Sequence, residues 1–332
     1  MGLRPDIKIR IDDKEISDTL RERLISLRAE DHQEQKSDSL TLIFDDRDED
    51  LEEPKRDLSI EVFLGFDGNI SKIGRYKISE VYSDGPPGLM YVKGTGFDAS
   101  GTIKEKKSKV FSENESIRGA LSKIASDHSL EPKISKDFDE IKIPYGLAQC
   151  KESDLHFASR LTDYAGGTFK INDGKLIATK KGSGDTASGR PLTEVVVDRS
   201  QVERYSTSKS KIMEYKSAKA YVRDLSTGKK EEVLVGLGDP VLILPETFAS
   251  KELALSAARS KIGSKDSSET SIEIDLQGDN RLTVERRVKL TGFKKQSFNG
   301  SWIVAEAQHD WSAKRGYRTS VKLQRKLDKI GD

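Results

Sequence analysis

Apolar and polar residues alternate along much of the first hundred positions, and this period-two pattern predicts strands that bury one face. Turn-forming residues separate the alternating stretches, notably Asp67-Gly68-Asn69 and Gly85-Pro86-Pro87-Gly88. The alternating apolar positions are Ile7, Ile9 and Ile11, then Leu40, Leu42 and Phe44, then Leu58, Ile60, Val62 and Leu64. Residues 1–101 are therefore predicted to form a β-barrel or sandwich of short strands joined by short turns.

The pattern changes after residue 101, where helical spacing appears. Ser112 and Glu115 match a capping box, and the apolar positions from Ile117 to Ala125 follow a helical period. A second helix is predicted after Ser153, ending near Gly166-Gly167, and Asn172-Asp173-Gly174 then predicts a hairpin turn. Residues 102–181 are expected to form a small α+β domain, and residues 182–191 have the composition of a flexible linker.

Strands dominate again from residue 192, with one interruption. A hairpin is predicted around Ser226-Thr227-Gly228-Lys229, and a helix over about 250–263 is predicted with Ser250 as its cap. Alternation then returns from Ile272 to Leu323. Residues 192–328 are expected to form a second β-rich unit with one inserted helix. The fold class is therefore mainly β (α+β), with two β-rich end domains.

The amino-acid composition excludes several classes of function. The 332 residues carry 57 Lys+Arg and 56 Asp+Glu, a net charge of +1, so no overall basic field favours nucleic acid or an anionic membrane. No apolar run approaches the length of a membrane span, and the first residues lack the apolar core of a signal peptide. Cys150 is the single cysteine, which excludes an internal disulfide, and we expect it to be a core thiol. These features indicate a soluble intracellular chain.

The search for a catalytic or metal site finds none, so we expect a protein that is not an enzyme and needs no cofactor. The four histidines, His32, His128, His156 and His309, match no metal spacing, and ordinary packed or exposed roles are expected for them. His309 is placed at a strand end. The acidic run from Asp45 to Asp50 resembles the start of a calcium loop, but Leu51 occupies the position that needs glycine, so an acidic strand-end loop is favoured.

Charge is distributed unevenly along the chain. Residues 1–60 carry 11 basic and 18 acidic side chains, whereas residues 281–332 carry 13 basic and 5 acidic ones. Two solvated surfaces explain this pattern, and so does head-to-tail contact between copies. On the second reading the candidate interface residues are Asp45, Asp46, Asp48, Asp50, Arg286, Arg287 and Lys289. Phe293, Phe298 and Trp311 lie among the basic residues, a weak single-stranded nucleic-acid signal that the acidic end opposes.

An ordered series of short motifs resembles the late control protein D family, the tail baseplate hub of contractile-tailed phages, which is related to the hub part of type VI secretion spike proteins. The motifs include Ser37-Asp38-Ser39-Leu40-Thr41-Leu42, Glu152-Ser153-Asp154-Leu155-His156-Phe157 with Arg160-Leu161, Leu290-Thr291-Gly292-Phe293, Gly300-Ser301-Trp302, His309 and Gly316-Tyr317-Arg318-Thr319. The resemblance covers nearly the whole chain in the right order.

The resemblance implies two tail-tube-like β-barrel domains with a smaller α+β part between them. It implies a homotrimer whose six barrels match the hexameric tail tube on one side. The other side of the trimer receives the central spike protein. The expected partners are the chain itself, the tail tube protein, the spike and other baseplate proteins, in a virion tail assembled in the host cytoplasm, with no nucleic acid or membrane. Three alternatives stay open: a bacteriocin-like or secretion particle hub, a tail-tip cell-wall-degrading enzyme, and a transcription regulator.

Overall fold

The computed structural model describes most of the chain, and the statements below concern that part. The described residues are 4–16, 18–33, 38–96, 101–111, 115–143, 148–172, 174–181, 186, 190, 192–209, 215–223, 227–248, 250–268 and 270–325. The predicted linker, 182–191, falls almost wholly outside these ranges, as do Ser112, Asp173 and Ser226.

The described residues form four α-helices and 21 strands, so the protein is mainly β. The helices are α1 (Asp18–Glu22), α2 (Ile117–Asp127), α3 (Asp154–Tyr164) and α4 (Lys251–Ser268). The strands of the first half are β1 (Pro5–Ile11), β2 (Lys14–Glu15), β3 (Leu24–His32), β4 (Ser39–Asp45), β5 (Ser59–Phe66), β6 (Asn69–Asp84), β7 (Leu89–Thr95), β8 (Lys106–Val110), β9 (Glu131–Ile134), β10 (Ala148–Ser153), β11 (Gly167–Asn172) and β12 (Lys175–Lys180). The others are β13 (Val195–Asp198), β14 (Val202–Lys209), β15 (Ser217–Arg223), β16 (Lys230–Gly236), β17 (Val241–Phe248), β18 (Thr270–Gln277), β19 (Arg287–Thr291), β20 (Gly300–Ser312) and β21 (Gly316–Arg325).

The chain divides into two compact units, each made of separated segments. The first unit contains residues 1–98, 193–207 and 272–323, and the second contains 99–192, 208–271 and 324–332. The segment 208–271, which the sequence groups with the second β-rich end, therefore packs with the middle of the chain. The predicted barrels themselves, and their boundaries, stay a prediction.

One 13-stranded sheet forms the first unit. Its strand order is β14-β18-β21-β20-β3-β4-β7-β6-β5-β1-β2, with β19 paired to β20 and β13 paired to β19. Seven residue pairs, from Ser26 opposite Ser312 to His32 opposite Glu306, join β3 to β20 in antiparallel register. This pairing merges the first and last parts of the chain into a continuous sheet.

Two apolar clusters underlie that sheet. The first cluster draws its buried side chains from Ile7 to Val92 and adds Tyr317, while the second draws them from Val195 to Val202 and from Ile272 to Leu323. Alternation supplies part of each cluster, as in β21, where residues 317, 319, 321 and 323 are buried and their neighbours are partly exposed. The strands from the start and from the end of the chain thus form one sheet, which has a polar face on one side and the two apolar cores on the other.

The second unit combines three small sheets with α2, α3 and α4. Sheets form from β8 with β10, from β9, β11 and β12, and from β15, β16 and β17. The apolar side of α4, from Leu253 to Ile262, is buried and contacts β15. The hairpin of β11 and β12 is confirmed, with Gly174 at a φ of 68° as the turn requires.

The helix caps match the sequence in two of three cases. Ser153 caps α3 by accepting a hydrogen bond from the backbone N–H of His156, and Ser250 accepts one from Leu253 before α4. The predicted cap at Ser112 is wrong, because α2 begins at Ile117 with Ser116 as its N-cap. Helix α4 is also longer than the predicted 250–263.

Two expected burials are corrected by the structure. Cys150 is exposed, not a core thiol, because it lies in β10 at an irregularity in the pairing with β8. His309 is not at a strand end but inside β20, with only 1% of its surface exposed.

The close packing of Gly278 against Tyr317 gives a test of the fold. A Cβ at position 278 would lie 2.1 Å from the ring atom Cδ1 of Tyr317, so Gly278→Ala must displace the backbone or the ring. We expect Gly278→Ala to lower the free energy of unfolding by about 1–3 kcal/mol, measured by urea denaturation. The control Ser71→Ala, at an exposed position of β6, is expected to change it by less than about 0.5 kcal/mol. Equal stability of Gly278→Ala and wild type would contradict the packing.

Candidate functional site

Of the acidic candidate residues, Asp45 ends β4, and Asp46, Asp48 and Asp50 lie in the loop that follows it. Asp46 is 8% exposed, and its carboxylate accepts a hydrogen bond from the backbone N–H of Leu51 at 3.0 Å. Its own N–H donates to the carbonyl of Gly88, which ties the loop to the β6–β7 turn. Asp46 therefore shapes the loop, while Asp48 and Asp50 are exposed.

Two arginines already contact this loop. Arg47 pairs with Asp45 at 2.6 Å, and Arg23 pairs with Asp48 at 2.5 Å. The hydrogen bond from Arg47 lowers the pKa of Asp45, and the one from Arg23 lowers the pKa of Asp48, so both carboxylates stay charged. The loop keeps an excess of negative charge at the surface.

The three basic candidates differ in exposure. Lys289 is exposed on β19, whereas Arg286 and Arg287 are each partly buried at its start. Burial lowers the pKa of the Arg286 guanidinium, and its Nε has no hydrogen-bond partner. Lys289 is therefore the candidate best placed to meet another molecule.

The fold does not bring the acidic and basic candidates onto neighbouring strands. The acidic loop follows β4 and the basic residues lie at β19, with β20 and β3 between those strands in the sheet. Two strands therefore separate the acidic set from the basic set within one copy of the chain.

A polar face continues across eight strands of the first unit, in the order β14-β18-β21-β20-β3-β4-β7-β6. Every second residue of these strands points away from the two cores. On this face such residues line a groove of about 690 Å³. Lining residues include Arg28, Thr41, Asp275, Gln308, Arg318 and Ser320. The polar face thus carries charged and polar side chains from both ends of the chain.

Opposite charges are paired across neighbouring strands of this face. Arg28 pairs with Asp310 at 2.8 Å, Lys322 with Glu306 at 2.9 Å and Lys93 with Glu80 at 3.0 Å. Arg318 of β21 also contacts Glu203 of β14, across the intervening strand β18. Each exposed pair contributes little stability. Together they leave a polar surface whose charges largely cancel.

A buried polar network lies on the other side of β20 and β21. The hydroxyl of Tyr317 donates to Nδ1 of His309 at 2.8 Å, and Thr319 lies 3.2 Å from the same nitrogen. Thr319 in turn accepts from the backbone N–H of Asp279 at 2.9 Å. Burial lowers the pKa of His309 to about 4, so the ring is neutral at pH 7.

The network helps to join the two cores. Tyr317 belongs to the first cluster although it lies on β21, and its ring is 5.6 Å from that of Phe66. Asn280, beside the network, donates to the carbonyl of Leu64 at 2.9 Å. His309 and Tyr317 therefore act as structural residues that the sequence spacing did not reveal.

The second unit holds a buried ionic cluster at the start of α3. Asp154 is 1% exposed. Its carboxylate lies 2.7 Å from Nε2 of His128, accepts a hydrogen bond from Nε2 of Gln149 at 2.9 Å and forms an ion pair with Lys107. Burial alone would raise the pKa of Asp154, but the hydrogen bonds from Lys107 and His128 outweigh it and lower that pKa. Arg160 pairs with Glu152 at 2.7 Å. The Glu152-Ser153-Asp154 motif thus fastens α3 to β8 and β10.

No other chemistry emerges from the described residues. Within them, no three His, Cys, Asp or Glu side chains come together in a way that could hold a metal ion. None of the described helices combines the length and apolar character that a membrane-spanning helix needs. Phe293 and Phe298, considered above for nucleic acid, are 4% and 8% exposed and belong to the second core.

Comparison with known proteins decides the family. The model of the phage tail baseplate hub (GPD) family matches residues 103–314. The chain belongs to this phage tail baseplate hub family. The sequence motifs indicated that this chain resembles the family, and the match confirms that prediction.

Similar proteins support the same assignment. The probable baseplate hub protein of Escherichia phage 186 is 26% identical over 99% of this chain and 95% of its own length. The protein of the same description from Escherichia phage P2 is 25% identical, with the same shares covered. These relatives are described as hub proteins, and this hub-family chain is a structural tail protein, not an enzyme.

Solved structures show the same fold. A tail protein from Neisseria meningitidis MC58 matches with a TM-score of 0.69 at 13% identity, over 97% of both chains. An E. coli component of the type VI secretion system, described as similar to the T4 tail proteins gp27 and gp5, matches with a TM-score of 0.57 at 11% identity. That match covers 96% of this hub-family chain and 76% of the other.

The buried histidine predicts a pH dependence of stability. The pKa of His309 is about 4 in the folded state against an ordinary 6.5, so the unfolded state binds the proton first. Stability is then full above pH 6.5 and falls by about 3 kcal/mol as the pH drops to 4. We expect His309→Gln to be less stable at pH 7.5 yet to show a flatter decline between pH 6.5 and 4.

Urea midpoints at pH 7.5, 5.5 and 4.5 provide the measurement. His156→Gln is the matched control, because the side chain of His156 is 67% exposed. It is expected to follow the wild-type curve. An equally steep decline in His309→Gln would show that another group controls the acid response.

Proposed function

We propose that three copies of this chain form a ring at the centre of a contractile tail baseplate, joining the hexameric tail tube to the central spike. The observation that carries the proposal is the pair of β cores under one eight-stranded polar face. Four of those strands, β14, β18, β21 and β20, come from the end of the chain, and four, β3, β4, β7 and β6, come from its start.

The symmetry argument follows from that duplication. A chain with two four-stranded halves presents six similar halves when three copies close into a ring. Such a ring fits a sixfold tube on one side and a threefold spike on the other. Closure requires each copy to use a different surface toward each of its two neighbours.

The charge distribution supports contact between unlike ends. The exposed acidic loop after β4 and the exposed Lys289 on β19 lie on different strands of the same sheet. In a head-to-tail ring, the acidic loop of one copy faces the basic strand of the next. The candidate residues Asp45, Asp46, Asp48, Asp50, Arg286, Arg287 and Lys289 then belong to one kind of contact, in which Asp46, Arg286 and Arg287 support the surface.

The chain is a virion tail component by family, and we propose that it assembles in the host cytoplasm before joining the tube, the spike and other baseplate proteins. A second setting has support of its own. The fold match to a type VI secretion component favours a hub in a related contractile particle, such as a secretion device or a phage-like bacteriocin. The two settings use the same trimer and differ in the genes beside this one.

The oligomeric state is the first test. Light scattering on the purified chain, alone and with the spike protein of the same particle, is expected to give about 111 kDa for the hub, three times the chain mass of 37.0 kDa. A chain that stays monomeric under both conditions would contradict the trimer.

Charge reversal tests the contact. Lys289→Glu and Asp50→Lys are each expected to weaken trimer formation. Each would bring side chains of the same charge together at the proposed contact between the acidic loop of one copy and β19 of the next. Raising the salt concentration is expected to weaken the wild-type trimer in the same direction.

The control for charge reversal is Lys133→Glu, which changes an exposed lysine of β9 in the second unit. It is expected to leave trimer formation unchanged. If sedimentation shows wild-type association for Lys289→Glu and Asp50→Lys at every salt concentration, the charge argument is wrong.

A further inference from the structure

In the second unit, a three-stranded sheet has one face covered by a helix. Strand β15 lies between β16 and β17, and α4 contacts all three strands. The strand residues on this side are buried, namely Ala218, Ala220, Val222, Val233, Leu244 and Phe248. Successive side chains of a strand point to opposite faces, so the positions between these residues form the other face, which we call the outer face. Its residues are Lys219, Tyr221, Arg223, Lys230, Glu232, Leu234, Ile243 and Thr247.

One end of the outer face is apolar. Leu234 of β16 and Ile243 of β17 both lie opposite Lys219 of β15, so the three residues form a row across the sheet. Leu234 is 53% exposed and Ile243 is 57% exposed. Leu237, in the loop that follows β16 at the same end of the sheet, is 89% exposed. Exposed aliphatic side chains that are grouped in this way are typical of interaction sites.

The other end of the outer face is basic. Arg223 and Lys230 are exposed and lie directly opposite each other on β15 and β16, an arrangement of like charges that destabilises a strand pair. The acidic residue of this face, Glu232, pairs with Lys219 at 2.8 Å. Lys230 instead lies 3.9 Å from the centre of the Tyr221 ring. Among the described residues, no carboxylate forms an ion pair with either of the two opposed cations.

The dimensions of the outer face fit one α-helix. Three strands spaced about 4.8 Å apart present a face roughly 14 Å wide, close to the helix diameter of about 10–12 Å. Along β15, the distance from Lys219 in the apolar row to Arg223 in the basic pair is about 13 Å. About nine residues of a helix span that distance. Helix α4 already covers the opposite face, and helices on both faces of a sheet are a common layer arrangement.

We infer that the outer face docks an amphipathic helix of another protein in the tail particle, laid along β15. Apolar side chains of that helix cover Leu234 and Ile243 and remove their exposed surface from water. Its carboxylates lie beside Arg223 and Lys230 and neutralise two cations that repel each other in the free chain. The contact involves the second unit only, so it does not depend on the proposed ring.

The docked helix comes from a different protein because the described part of this chain offers no matching helix. The apolar sides of α2, α3 and α4 are already buried within the second unit. Helix α1 has only five residues, which are too few to reach from the apolar row to the basic pair. A second copy of the described chain therefore has no free amphipathic helix to place on the outer face.

Lysine acetylation tests whether the outer face is covered. Lys230 is exposed in the chain by itself, so acetic anhydride is expected to modify it in the purified full-length protein. In assembled tail particles we expect Lys230 to be protected, because the docked helix covers it. Lys251 is exposed at the start of α4, on the opposite side of the sheet, and is the internal control. It is expected to react in both samples.

A carbodiimide then identifies the partner, since it joins a lysine amine directly to a carboxylate beside it. In tail particles we expect an amide link from Lys230 to an Asp or Glu of a different protein, in a peptide whose apolar residues recur at helical spacing. Leu234→Asp is expected to lower the yield of this link about tenfold or more, because it places a carboxylate in the apolar contact. The matched control is Val110→Asp, which changes an aliphatic residue of β8 in the same unit that is 76% exposed. It is expected to keep the wild-type yield.

The outcomes separate docking from folding and from the proposed ring, since circular dichroism and light scattering follow the latter two in each variant. Protection of Lys230, with a link to a helical peptide of another protein, supports the inference. Equal acetylation in the purified chain and in the particle overturns it. So does a link only to a second copy of this chain, a linked peptide without helical spacing, or a wild-type yield for Leu234→Asp. A monomeric chain that still gives the expected link supports the docking and contradicts the ring alone.

Discussion

The antiparallel pairing of β3 with β20 is the contact on which the first unit depends. It joins strands nearly 300 positions apart along the chain, and through it two apolar cores come to lie under one sheet. Arg28 and Asp310 pair across it, and the buried network of His309, Tyr317 and Thr319 lies behind it. Breaking this strand pair would leave two half-sheets, each with an exposed edge, and would divide the polar face that the proposed ring uses.

A rigid sheet of this kind suits a structural tail protein. The buried polar groups His309, Tyr317 and Thr319 of β20 and β21 have hydrogen-bond partners within the protein, so these two strands hold their arrangement without a ligand. The pairing of charges on the polar face has a further effect. Because Arg28, Lys93, Arg318 and Lys322 each meet an acidic neighbour, the charge available for recognition is concentrated in the acidic loop and on the strands around β14 and β19.

Much of the local structure was predictable from the sequence, and the long-range structure was not. Alternation marked β1, β4 and β5, and Ser153 and Ser250 marked two helix starts, because these signals act within a few residues. The β3–β20 pairing leaves no local signal, and neither does the grouping of 208–271 with the middle of the chain. The acidic loop was predicted correctly as a loop, but the partial burial of Arg286 and Arg287 depends on tertiary packing that charge counting does not detect. The two closed barrels implied by the resemblance stay a prediction.

Electron microscopy of the purified hub-family chain, alone and with its spike, tests the central claim most directly. The account predicts particles with threefold symmetry in which six similar β modules surround the axis, two from each chain. Averages that show isolated monomers, or a ring whose symmetry is not threefold, would contradict it.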